Sequence, residues 1–202
     1  MPENLYIALI STLGSILAAL IGYLGLVKAR AIKEKKGVVK NERSMLDGLK
    51  KLGKVYDIMG EIASDTAAER VLIIAGHNQG GLPRPHCDFW ASVIHSICIR
   101  PNALNPSKSY QNIAVDQEYV SMLLEIEDKG FVKLVTAEMP ECLLREYYEM
   151  EGVAESIICY LGIKENRFFF LSAALYEGLF DSRQITAIKI KASLIKNIMF
   201  ES

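Results

Sequence analysis

Two imidazoles and a thiol stand close together in one stretch of this 202-residue chain, His77, His86 and Cys87, and both kinds of group are proper zinc ligands. A closed zinc site asks for a fourth ligand at a recognisable spacing. The neighbourhood supplies neither, so no metal is expected and the three residues read as ordinary loop polars. The same stretch, Gly76, His77, Asn78, Gln79, Gly80, Gly81, could offer backbone amides to an anion. Phosphate-binding loops pair such glycines with a helix start and usually a Lys followed by Ser or Thr. Neither the GxxxxGK pattern nor GxGxxG is present, which excludes a nucleotide loop.

Nucleophilic and acid–base chemistry fare no better. Ser92, Ser96 and Ser172 lie in strand-like runs without a nucleophile elbow. Asp116 and Glu118 open a helix, where acids are expected beside the positive end of the dipole, and Glu125, Glu127 and Asp128 form a solvated face. With His 3 in the whole chain, the residue inventory predicts a protein that is not an enzyme.

Any binding site must be positioned by what surrounds it, and the chain begins with a tether. Leu5 to Val27 contains no Asp, Glu, Lys, Arg or His. A helix of that length reaches roughly 35 Å at about 1.5 Å per residue, against a hydrocarbon core of about 30 Å. No polar stripe marks it as a core helix, and Met1, Pro2, Glu3 and Asn4 lack the positive charge of a secretory signal. Residues 5–27 are therefore expected to span a bilayer. Lys28, Arg30, Lys33, Lys35, Lys36 and Lys40 follow the span, so the positive-inside bias predicts a single-pass protein of the cell inner membrane with its C-terminal domain in the cytoplasm. Gly14, Ala18 and Gly22 share one ridge of the span, a spacing that lets two helices approach closely and self-associate in lipid.

Residues 28–53 read as a basic juxtamembrane linker and helical stem, and 54–202 as one globular domain. Net charge is -1 with acids and bases mixed, which points away from a nucleic-acid partner. Cys87, Cys98, Cys142 and Cys159 show no repeating spacing and fit reduced thiols better than a disulfide framework. Met45, Leu49, Leu52, Tyr56, Met59 and Ala63 mark a helical seam. Arg70 to Ala75 reads as a central strand, 76–85 as a loop, Asp88 to Ile99 as a second strand with a satisfied, half-buried His95, and 100–111 as a long connection. A helix over Asp116 to Lys129, a strand over Phe131 to Thr136, and a short helix opened by Pro140 follow. Val153 to Ile163 and Arg167 to Tyr176 form a hairpin through Lys164, Glu165 and Asn166. The last helix starts at an Asp181 and Gln184 cap and shows Ile185, Ile188, Ala192, Ile195 and Met199 on one face.

This order resembles the GAF family, above all in GVAESIICYLGIKENRFFFLSAALYEG followed by FDSRQITAIKIKASLIKNI. The likeness covers Lys54 to Phe200. It implies an α/β (α+β) fold in which an antiparallel sheet is flanked by helices, with the first and last domain helices packed together, commonly at a dimer interface. The chain has neither the cysteine–histidine pair of bilin-binding members nor an NKFDE-like signature of cyclic-nucleotide binders, so the cofactor is not named. In such a fold a ligand would sit between the sheet and its covering loops and helix, which directs attention to Asn78, Trp90, Tyr110, Asp116 and Tyr119. The expectation is a membrane-anchored, non-catalytic sensory or regulatory protein that binds a small molecule or a protein partner. One amino-terminal span before a single globular domain also resembles the layout of holins from T4-like phages. This keeps a phage or prophage membrane protein, holin-like or part of a virion, as the alternative. The basic run after Val27 argues against the holin arrangement, whose soluble domain lies outside the inner membrane.

Overall fold

A computed structural model of the chain describes residues 44–78, 88–100 and 106–200. The expected span at 5–27, its Gly14, Ala18 and Gly22 ridge, and the linker up to residue 43 lie outside the described residues, as do His86 and Cys87. Among the described residues no helix is long and apolar enough to cross a membrane. Packing divides the chain into two units, Met1–Lys50 and Lys51–Ser202, and the sheet belongs wholly to the second.

Helix α1 covers 44–66. The strands are β1 (Arg70–His77), β2 (Trp90–Cys98), β3 (Ile113–Ala114), β4 (Phe131–Val135), β5 (Glu155–Lys164) and β6 (Arg167–Leu175). Between and after them lie α2 (Pro106–Ser109), α3 (Gln117–Lys129), α4 (Leu143–Glu151) and α5 (Ser182–Phe200). The six strands form one sheet in the order β3-β2-β1-β6-β5-β4, with every neighbouring pair antiparallel.

Alternation along the strands gives the sheet two apolar faces. On one, Val71, Ile73, Ile157, Cys159, Leu161, Leu171 and Ala173 pack with Val55, Met59 and Ile62 of α1 and Ile188, Ala192 and Ile195 of α5. The expected seam of α5 is the buried one. That of α1 is buried at Met59 and Ala63, where Val55 and Ile62 join it, whereas Met45 and Leu49 are exposed and Tyr56 is 39% exposed, its hydroxyl 3.2 Å from Nδ1 of His95. Lys191 joins the two helices, its Nζ 2.5 Å from Glu61 and 3.2 Å from Asp65. The α5 start is a reciprocal cap, with Gln184 N–H donating to Asp181 Oδ1 at 2.7 Å and Asp181 N–H to Gln184 Oε1 at 2.8 Å.

Local departures from the sequence expectations have local causes. Lys164 and Arg167 are paired, so the hairpin loop is Glu165 and Asn166 alone, both at positive φ (52° and 61°), the two-residue turn whose twist matches the strands. Pro140 does not open α4: Cys142 is its N-cap position. The long connection contains α2, and it is followed by a two-residue edge strand, β3, too short to leave a periodic signal.

Candidate ligand-binding site

The second face of the sheet carries the site. Arg70, Leu72 and Ile74 of β1, Ala91 and Val93 of β2, Ile158 of β5, and Phe170 and Ser172 of β6 floor a cavity of about 40 Å³. Its cover comes from Tyr119 of α3 and Leu144, Tyr147 and Tyr148 of α4, with Tyr110 and Ile113 closing one side. That volume gives room for about three waters. Tyr119 and Leu144 also line a groove of about 230 Å³ outside it, between α3 and the segment leading into α4.

Most of the wall is apolar, so its few polar groups stand out. Arg70 is only 2% exposed, at the first position of a central strand. Its Nη1 donates to Oε2 of Glu151, the last residue of α4, in a buried ion pair. Its guanidinium carbon lies 5.8 Å from the ring centre of Tyr110 and 5.7 Å from that of Tyr148, a range in which aromatic faces attract cations. Arg70 Nε has no hydrogen-bond partner among the described residues. A buried cationic donor without an acceptor is unfavourable by an amount comparable to a lost charged hydrogen bond. Below it, Ser172 and Ser156 share a hydrogen bond of 2.9 Å. Tyr110 and Tyr119 stay neutral: burial pushes Tyr110 up to about 12, against a lowering by Arg70, and burial raises Tyr119 as well.

The cover is tied down at two points. Asp116 caps α3, its Oδ1 accepting from Tyr119 N–H at 2.9 Å, and its Oδ2 accepts from Leu143 N–H at 2.9 Å. At the far end of α4, Val153 N–H returns to Tyr148 O at 2.8 Å and Gly152 N–H to Glu149 O at 3.1 Å, the Schellman pattern. Gly152 takes φ +76 there, the left-handed conformation that ends α4 directly after Glu151.

No family model and no curated protein matches the sequence. Solved structures do match by shape. The chain resembles a far-red cyanobacteriochrome photoreceptor (10% identity, TM-score 0.53, covering 83% of this chain and 96% of that one). It resembles the blue-light absorbing form of the PixJ GAF domain of Thermosynechococcus elongatus (16%, TM-score 0.53, 75% and 88%). It also resembles a GAF domain/HD domain protein of Geobacter sulfurreducens (11%, TM-score 0.53, 76% and 94%). The fold is GAF-like.

Within this GAF-like domain the residues singled out from sequence separate. Tyr110 and Tyr119 line the cavity. Asp116 is the clasp of its cover rather than part of its wall. Trp90 opens β2 one residue before Ala91, so alternation turns it to the other face, where its ring centre lies 6.5 Å from that of His77. Asn78 follows the end of β1 and does not reach the cavity. His77 places Nε2 2.8 Å from Ser92 Oγ, which also accepts Asn112 N–H at 2.9 Å. This is a link between β1 and β2 next to the β3 edge, and burial followed by the charge of Arg167 lowers the His77 pKa. Gly76 serves packing: a Cβ there would come within 2.8 Å of the Phe89 ring. Among the described residues no group of His, Cys, Asp and Glu is placed to hold a metal, and Cys98, Cys142 and Cys159 are free thiols. Sequence reasoning missed Arg70, Tyr147 and Tyr148. The available signal was a lone Arg opening an otherwise apolar central strand, a position that buries whatever occupies it.

Proposed function

We propose that the chain is a membrane-anchored, non-catalytic sensory or regulatory protein whose GAF-like domain binds a small molecule in the Arg70 cavity. One observation carries the reading: a nearly fully buried guanidinium, with an N–H left over, faces a tyrosine-rimmed apolar cavity. Apolar cavities with few convergent polar groups are the usual form of a ligand site. Among the structures of like fold, one is named a photoreceptor, which lends the sensory reading analogy and nothing about the ligand.

Anchoring rests on Leu5 to Val27 and the basic run after it, with the domain held on the cytoplasmic face of the inner membrane. Self-association is the expected output surface, through the Gly14, Ala18 and Gly22 ridge and through α1 and α5, where Ile190 and Leu194 are 59% and 48% exposed. A screen of metabolites against the full-length chain in mild detergent, read as a shift in melting temperature, tests the binding reading, because a ligand of the native state stabilises in proportion to occupancy. Loss of the shift on filling the cavity with Ala91→Leu is the expected control. A screen in which nothing shifts the melt defeats the proposal. Protease access to a tag after Ser202, compared between intact and permeabilised cells, tests the side of the membrane.

A further inference from the structure

We infer that the ligand is a short-chain monocarboxylate, and that the Glu151 side chain is its tethered stand-in, displaced from Arg70 when the ligand binds. This rests on the small-molecule reading of the same cavity and names its chemistry.

The planar guanidinium offers donors in a fork that matches a carboxylate with two parallel bonds. In the structure that fork is half used. Glu151 takes Nη1 through a single oxygen, and Nε has no acceptor among the described residues. A free carboxylate entering beside Ser172 could take Nε, with its apolar tail against Leu72, Val93 and Ile158. At about 40 Å³ the cavity suits a small molecule rather than an extended one.

Glu151 is suited to leave. It is the last residue of α4, where a negative charge meets the negative end of the helix dipole, and Arg70 is its one cationic partner among the described residues. Arg70, by contrast, is fixed on a strand paired on both sides, with Cys98 opposite it in β2 and Ala174 in β6. Exchange therefore moves α4 and leaves the sheet in place. Because α4 also carries Leu144, Tyr147 and Tyr148, the same step rearranges the cover of the cavity and supplies a conformational signal.

The test uses the full-length chain in mild detergent, with propionate as probe and propionamide and chloride as controls, at constant ionic strength. Melting is followed by circular dichroism. Propionate should raise the melting temperature of the wild type, and propionamide and chloride should not. In Glu151→Ala, where the tethered competitor is gone, propionate should bind at least tenfold tighter and recover most of the lost melting temperature. If Glu151→Ala does not fold alone, folding in the presence of propionate but not of propionamide gives the same answer. The double variant Arg70→Met with Glu151→Leu, which replaces the pair by apolar groups, should be folded and blind to propionate. Equal responses to propionate and propionamide, or no gain in Glu151→Ala, overturn the inference. A neutral metabolite whose shift disappears in Ala91→Leu overturns it while leaving the small-molecule reading intact, whereas silence toward every compound removes both.

Discussion

Asp116 and Leu143 are joined across the cover of the cavity, the Asp116 carboxylate accepting the Leu143 amide at 2.9 Å with one oxygen while the other caps α3. One side chain thus sets the spacing between the helices that carry Tyr119 and Leu144. Asp116→Ala should cost about 2 kcal/mol, the sum of a lost cap and a lost charge-assisted bond. Asp116→Asn keeps an oxygen for the cap but turns an NH₂ toward the Leu143 N–H, so its cost should be about half. Urea denaturation distinguishes the two. Equal costs for Ala and Asn would mean that the cap to Tyr119 contributes nothing.

Breaking the Arg70–Glu151 pair from one side should be severe, since both side chains are buried, 2% and 6% exposed. Glu151→Ala or Arg70→Met should each cost about 3–5 kcal/mol, whereas the paired replacement by Met and Leu should fall close to wild type. A double-mutant cycle by urea denaturation reads the difference. Additive single effects would show that the two groups do not sense each other.

Ala67 leaves α1 with φ 55, a left-handed conformation that is unfavourable for a residue with a Cβ. Ala67→Gly should therefore stabilise the fold by up to about 1 kcal/mol, net of the extra entropy glycine loses on folding. A fall in melting temperature for this variant would contradict the strain.

Helix α5 has a core side and an exposed side, the latter proposed as a contact surface. Ile195 is fully buried, so Ile195→Ala should cost about 2–5 kcal/mol. Leu194→Glu, on the exposed side, should change stability by no more than about 0.5 kcal/mol. It should instead shift the full-length chain toward monomer in analytical ultracentrifugation. Unchanged sedimentation would take α5 out of the association surface.

The pH profile should have two shoulders of opposite sign. Burial lowers both His77 and His95 from 6.5, with Arg167 adding to the effect on His77. The unfolded chain then binds more protons just below pH 6.5, and stability falls as pH drops through that window. Burial raises Tyr110 from 10.0 to about 12, so its contribution is complete below pH 10 and is lost as pH rises toward 12. Melting temperature measured across pH should show both slopes. His95→Gln should flatten the acid one.

Elements with strong periodicity were legible in the sequence because burial follows periodicity: the β5–β6 hairpin, the Asp181 and Gln184 cap, and the seam of α5. The site was half legible. Tyr110 and Tyr119 line the cavity, but Asp116 and Trp90 share the properties of ligand residues for other reasons, a helix cap in one case and a partner for His77 in the other. Arg70 went unread because its meaning depends on the strands either side of it. Two flanking strands bury it, and Glu151, 81 positions away in sequence, neutralises it, and neither fact has a local signature.

The position of Trp90 has an optical consequence. As the only tryptophan, it is the intrinsic fluorophore of the chain, yet it faces away from the cavity and toward the imidazole of His77. Its emission should follow protonation of that imidazole, quenching as the ring becomes cationic, and stay nearly constant while the Arg70 cavity fills. A fluorescence titration would thus report the acidity of the surroundings, whereas occupancy has to be read from a label placed on α4.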